Sequence, residues 1–179
     1  MKRIILVLLC RFDEHLVDIL KQGLENTFSH IVETREDIHS LNYAFDSDRN
    51  QYISPRFLTR LRRIKKDSGD KILGVLDVDL YSPDFEFVFG EAEMDSGVAT
   101  VSICRLRPEY CNYPANERLL EERATKEAVH ELGHLYHLGH CTSSKCVMWF
   151  STSLLDIDNK GKTFCSRCQK KLKNIQLEK

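Results

Sequence analysis

HELGHLYHLGHC, residues 130–141, places four histidines within eleven residues. His130 and His134 are four apart, and an α-helix turns once every 3.6 residues, so both rings project from one face. Glu131 lies between them. This is the HExxH arrangement, in which two rings grip one ion and a carboxylate acts on a water beside it. His137 follows His130 by seven residues, about 10.5 Å along a straight helix at 1.5 Å per residue. Zinc–nitrogen bonds are about 2.0–2.1 Å long, so three rings on one uninterrupted helix do not converge. The chain must turn and send a later ring back. His140 is the candidate, with Gly139 beside it for local freedom.

The longer pattern HExxHxxGxxH is the metzincin motif. His130, Glu131, His134 and His140 match it, and His137 stands in the glycine position. Glycine there lets the chain leave the helix at positive φ. Histidine enters the left-handed region more readily than most residues, so the turn remains open to it. His137 reads as a solvent-facing turn residue, with a metal role as the alternative.

Cys141 closes the quoted stretch and opens a second one. Cys141 and Cys146 form one pair, and the CSRC segment supplies Cys165 and Cys168. Two short pairs around an 18-residue segment fit a closed four-thiolate zinc site. Such a site has no open position, so its role is structural. It would pin the tail to the loop carrying His140. Cys10, Cys104 and Cys111 are scattered and read as small core or near-surface residues. Met148, eight residues after His140, alone would be ordinary core. After this histidine pattern it reads as a methionine turn beneath the rings.

The remaining sequence sets the frame. The chain has 179 residues, 42% of them hydrophobic and 30% charged, which suits one globular domain with a proper core. Its 26 basic and 27 acidic side chains nearly cancel, giving no bulk-charge argument for nucleic acid or an anionic membrane. Two basic clusters, Arg60 to Lys66 and Lys170 to Lys173, read as solvated helix faces. No apolar stretch approaches the roughly 18 residues of a membrane span. The N-terminal run Ile4–Cys10 is followed by Arg11, Asp13 and Glu14 with no small-residue cleavage site, so it reads as a buried strand and not a signal. That points to the cytoplasm, where the seven cysteines stay thiols or metal ligands.

Along the chain, Asp13 caps a helix with Leu16, Val17, Leu20, Leu24 and Phe28 at helical spacing. A short strand is expected around residues 30–33 and a polar loop over 46–50. Ser54 and Pro55 start a second helix striped by Phe57, Leu58, Leu61 and Ile64. Strands are expected over residues 71–81, 85–94 and 97–106. Asn116 caps a long helix ending in the histidine motif, and the tail carries a final helix. Strands alternating with helices, followed by a cysteine-rich tail, predict an α/β fold. The expected division is one catalytic domain over 1–179, with an N-terminal subdomain over 1–140 and a small zinc-stapled subdomain over 141–179.

The motifs together are specific. HELGHLYHLGHC, then CVM, then CSRC resembles the archaemetzincin family, as do ILGVLDVDLY and FVFGEA at residues 72–81 and 87–92. The resemblance implies a zincin-like mixed, twisted sheet with an active-site helix. It implies a zinc-dependent metallopeptidase acting on peptide or protein substrates, with two zinc ions per chain. His130, His134 and His140 would hold the catalytic ion, and Cys141, Cys146, Cys165 and Cys168 the structural one. Glu131 would be the general base. A rim strand at Phe89, Gly90, Glu91 and Ala92 would align the substrate, with Glu91, Glu93 and Asp95 making that rim acidic. Two departures stand out: His137 replaces glycine, and Phe150 occupies a position where some other metzincins carry tyrosine. A monomer that binds neither nucleic acid nor membrane is expected. The competing expectation is a zinc-stabilised binding or regulatory protein with little turnover.

Overall fold

The computed structural model describes residues 3–177. The apolar N-terminal run forms β1 (Ile4–Leu8), buried at every position. Asp13 caps α1 (Glu14–Phe28), its carboxylate accepting from the His15 amide at 2.9 Å. Leu16, Leu20, Leu24 and Phe28 are the buried stripe of that helix. β2 (Val32–Glu36) starts later than the strand expected at His30. Ser29 ends α1 at φ 55°, and the His30 ring bonds the Phe28 carbonyl at 2.6 Å, so the chain is still turning there.

β3 (Phe45–Asp46) and β4 (Gln51–Ile53) flank the polar 46–50 turn as a small hairpin. α2 (Ser54–Ile64) follows directly. Ser54 is not its cap as the sequence suggested: Ile53 holds that position, and the buried Ser54 hydroxyl lies 3.2 Å from that of Thr100. The expected strand 71–81 is split into β5 (Lys71–Leu76) and β6 (Leu80–Tyr81). The break is fixed by charge: Asp77 pairs with Arg107 at 2.6 Å and Asp79 with Arg105 at 2.5 Å. The strand expected over 85–94 is only β7 (Gly90–Glu93). Before it, the Phe85 amide turns back to the Ser82 carbonyl, and Phe87 and Phe89 pack edge to face 5.2 Å apart. β8 (Val98–Ser102) likewise ends early, in a short 3₁₀ turn at Cys104–Leu106. α3 (Glu117–Leu135), α4 (Leu154–Asn159) and α5 (Ser166–Leu177) complete the order. Asn116 caps α3 as expected, accepting from the Leu119 amide at 3.0 Å.

The main sheet runs β2-β1-β5-β8-β7, parallel except for β7, which is antiparallel at the edge. Alternation along β1 splits the core in two. Ile4, Leu6 and Leu8 pack with α1 and α3, and Ile5, Val7 and Leu9 pack with α2. Each such aliphatic burial contributes about 1.5–3 kcal/mol before chain entropy is counted. The tail joins the first of these cores through Val147, Met148, Ile157, Phe164 and Leu172. Phe28 ties the parts together, stacked on Tyr136 at 5.1 Å and edge-on to Phe164 at 5.7 Å. Among the described residues, no helix is long and apolar enough to cross a membrane.

The end of α3 answers the question about His137. The His137 amide donates to the His134 carbonyl at 2.8 Å, and the Leu138 amide to that of Gly133 at 3.1 Å. This pair of bonds is a Schellman ending, with His137 in its left-handed position at φ 55°. Gly139, expected to give local freedom, is not at positive φ, and a Cβ on it would meet nothing within 4 Å. His137→Gly is therefore expected to raise the unfolding free energy by up to about 1 kcal/mol, since relief of left-handed strain exceeds glycine's entropic cost. Urea denaturation reads the change, and a clear loss of stability would mean that the exposed imidazole itself holds the turn.

Candidate metal centre and active site

α3 presents His130, Glu131 and His134 from its last two turns, all buried. Two backbone carbonyls fix the rings. His130 Nδ1 lies 2.9 Å from the Val147 carbonyl and His134 Nδ1 2.8 Å from that of Leu138. A carbonyl only accepts, so each Nδ1 carries the proton and each Nε2 keeps its lone pair. The two Nε2 atoms are 3.1 Å apart. Nitrogens sharing one tetrahedral zinc are separated by about 3.3 Å, so the spacing suits an ion. His140 returns after the turn, its ring centroid 5.4 Å from that of His130 and 4.9 Å from that of His134. Donor atoms of the three residues lie within 4.8 Å of one another. Phe150 packs against the open side of His140 at 4.6 Å. His137 points to solvent, outside the group.

Burial sets the charge states. It pushes His130 well below the ordinary histidine range, His134 down to about 4, and His140 lower as well. Neutral imidazole is the form that ligates a metal. Burial, with the charges of Glu127 and Glu91, drives Glu131 well above the usual carboxylate range, and Lys160 opposes the shift. A divalent cation held by the neighbouring rings would favour the ionised carboxylate instead.

Met148 packs against α3 at Gly133, next to His134 in sequence. A Cβ on Gly133 would come 2.5 Å from Met148 Sδ, so the small residue inside the motif makes room for the methionine. The Met148 carbonyl accepts from the Cys141 amide at 2.8 Å, and the Trp149 amide closes a turn on the Cys146 carbonyl at 2.9 Å. The sulfurs of Cys141, Cys146, Cys165 and Cys168 cluster within 4.8 Å of one another, with Cys141 and Cys165 3.7 Å apart. Thiolates on one tetrahedral zinc are separated by about 3.8 Å. Burial works against ionisation of Cys141, but the Ser143 amide and Arg167 hold its thiol down to about 6. Both donor sets thus fit zinc, one of three nitrogens with room for a further ligand and one of four sulfurs.

A cleft of about 410 Å³ opens over the histidines. Phe85, Phe87, Phe89 and Met94 make it apolar, and Glu91, Glu127 and Glu131 give it carboxylates. Of the rim residues expected, Phe89, Gly90, Glu91 and Ala92 all line it. Gly90 is needed for the close approach: a Cβ there would come 2.6 Å from both the Thr100 carbonyl and Glu131 Cγ. Glu91 accepts from the Ser82 hydroxyl at 3.0 Å, and its second oxygen is buried with no hydrogen-bond partner among the described residues. The acidic rim is narrower than expected: Glu93 is drawn aside by Arg62, and Asp95 is exposed away from the cleft. Two residues were missed in the sequence. Glu127 lines the cleft one turn before Glu131, and Lys160 of the tail pairs with the Glu127 carboxylate. Glu127 had a signal, since its i,i+4 spacing to Glu131 puts both on one face; Lys160, in a polar segment, had none.

Comparison with known proteins agrees with this geometry. The pattern of Peptidase family M54 matches residues 17–174. An archaemetzincin of Pyrococcus horikoshii is 49% identical over 135 residues, covering 74% of this chain and 72% of the relative. The crystal structure of archaemetzincin from Methanopyrus kandleri superimposes with a TM-score of 0.85 at 33% identity, covering 99% of this chain and 96% of that one. A zinc-dependent peptidase from Methanocorpusculum labreanum gives 0.84 at 33% identity, covering 94% and 99%. With donor sets for zinc, a cleft above them and relatives along nearly the whole chain, this chain belongs to Peptidase family M54, the archaemetzincins, and is a zinc metallopeptidase.

Proposed function

We propose that the protein hydrolyses peptide bonds in the cleft above His130, His134 and His140, with Glu131 as general base. The observation carrying this reading is the position of Glu131: it adjoins the ring pair, lines the cleft and packs against Gly90 of the edge strand. A zinc ion held by His130, His134 and His140 would supply Lewis-acid chemistry, polarising a carbonyl and lowering the pKa of a water to about 7. The Glu131 carboxylate takes the proton of the attacking water and returns it to the leaving amine. The Nδ1–H groups of His130 and His134 go on donating to the Val147 and Leu138 carbonyls, which holds both rings in the ligating tautomer. Among the described residues β7 pairs with β8 alone, so its outer edge can add an extended substrate as a further strand. The apolar side of the cleft excludes water from the scissile bond. No tyrosine stands at position 150, so Phe150 contributes packing against His140 and no hydroxyl.

The same reading assigns two zinc ions per chain, the second held by the four cysteines as a structural clip. It takes 1–179 as a single catalytic domain whose tail, from residue 141, closes the site. It also takes the protein as a cytoplasmic monomer acting on peptides and not on nucleic acid. The main basic cluster supports this last point: Arg60 is paired with Asp37, and Lys65 is bonded to the Ser96 carbonyl.

Glu131→Ala is expected to lower peptide hydrolysis by about 10²–10⁴-fold while both zinc ions stay bound. Mass-spectrometric detection of cleavage in a peptide library, beside metal analysis, checks this; full activity in the variant would remove Glu131 as base. No cleavage by the parent under any metal condition, together with tight binding of one macromolecule, would instead favour a binding protein.

Metal analysis of single-site variants checks the ligand sets. His140→Ala and Cys165→Ser should each lose one zinc ion, and His137→Ala none. An emptied site in His137→Ala would reverse the assignment of the third ligand.

The metal-free protein should also lose stability in acid. His134 sits at about 4 when folded, against 6.5 for the ordinary side chain. Between those values the unfolded chain binds more protons, so the stability is present above pH 6.5 and falls as pH drops toward 4. The loss from His134 is on the order of 3 kcal/mol at most. Denaturation of chelator-treated protein across this range reads it, and a flat profile would contradict the buried neutral imidazole.

A further inference from the structure

We propose that Lys160 is a positioning residue of the active site, acting through Glu127 on the placement of Glu131 and the histidine pair. The inference rests on the peptidase reading above. Glu127 lies one helical turn before Glu131, on the same face of α3, and both line the cleft. The Lys160 ammonium touches the Glu127 carboxylate at 2.6 Å, with side-chain exposures of 0% and 4%. Neither contacting atom has another hydrogen-bond partner among the described residues. A fully buried pair is a poor source of stability, because desolvation offsets the attraction and apolar residues would serve as well. What the pair does supply is a fixed charge at a fixed place. The described residues lining the cleft include four glutamates, Glu86, Glu91, Glu127 and Glu131, and no lysine or arginine. Lys160 brings its cation to Glu127 from behind the cleft wall.

The backbone around Lys160 is held just as firmly. Its amide donates to the Asp156 carbonyl at 3.0 Å. Gly161 lies so close to Lys145 that a Cβ would come 2.0 Å from the Lys145 carbonyl oxygen. The Val147 amide donates to the Thr163 carbonyl at 3.0 Å. Residues 160–163 are therefore laid along 145–147, the strip whose Val147 carbonyl orients His130. Cys146 and Cys165 clamp the two segments to each other through the sulfur cluster. One strip thus delivers a carbonyl to His130 and supports a lysine that holds Glu127.

The test uses the zinc-loaded full chain and the double variant Glu127→Leu/Lys160→Met, which removes both charges and leaves neither stranded. Melting temperature, zinc affinity of the three-histidine site by chelator competition, and kcat and KM on a cleaved peptide are measured. The double variant should melt close to the parent. Its kcat should fall about tenfold or more with KM little changed, and zinc affinity should weaken about tenfold. Glu127→Gln, which keeps an acceptor of the same size beside the ammonium, is the second arm and should lose kcat several-fold with its zinc content intact. Parental kcat and zinc affinity in the double variant overturn the proposal and make the pair a packing element. Where the double variant does not fold, parental values in Glu127→Gln overturn it. If the parent cleaves no peptide, the peptidase reading fails, and zinc affinity alone still decides the role of Lys160.

Discussion

Leu138 donates its amide to the carbonyl of Gly133, and His137 donates its own to that of His134. These two bonds end α3 one residue beyond the ring pair, and the geometry of the site follows from them. The chain reverses at His137 and leaves the Leu138 carbonyl facing His134 Nδ1. It also brings His140 back over the helix end. A helix continued by one more turn would lose the carbonyl and the third ring together. The left-handed strain at His137 is small beside what it arranges, on the order of 1–2 kcal/mol.

The second constraint is that α3 is supported from beneath by residues that follow it in sequence. Met148 fits against Gly133, Val147 orients His130, and Phe164 reaches Phe28 across the core. Small residues mark the close approaches. Gly133 admits the methionine, Gly90 admits Glu131 against the edge strand, and Gly161 admits the Lys145 carbonyl. Each would clash if given a side chain, so each fixes a distance between two elements.

Much of this was readable in the sequence, for identifiable reasons. Periodicity and caps located α1 and α3, because Asp13 and Asn116 act locally through their own neighbours. The clustering of three histidines and of four cysteines was readable because donor spacing follows from helix geometry and from cysteine pairing. Failures came where distant partners intervened. Asp77 and Asp79 broke an apparently continuous strand because Arg105 and Arg107 wait for them after β8. Ser54 looked like a cap but bonds a hydroxyl 46 residues away. Lys160 lies in a segment with no periodicity, and nothing local says that its ammonium will be wholly buried.

The support that arrives from the tail also sets an order of assembly. Ribosomes add roughly 5–20 residues per second from the N-terminus, so the histidine motif is made seconds before its underpinning. Until residues 141–177 emerge, His130 has no Val147 carbonyl, Gly133 faces no methionine and Glu127 meets no lysine. The half-made chain holds the ligating pair without the frame that aims it. The rings on α3 are therefore framed only once residues 141–177 have folded back against that helix.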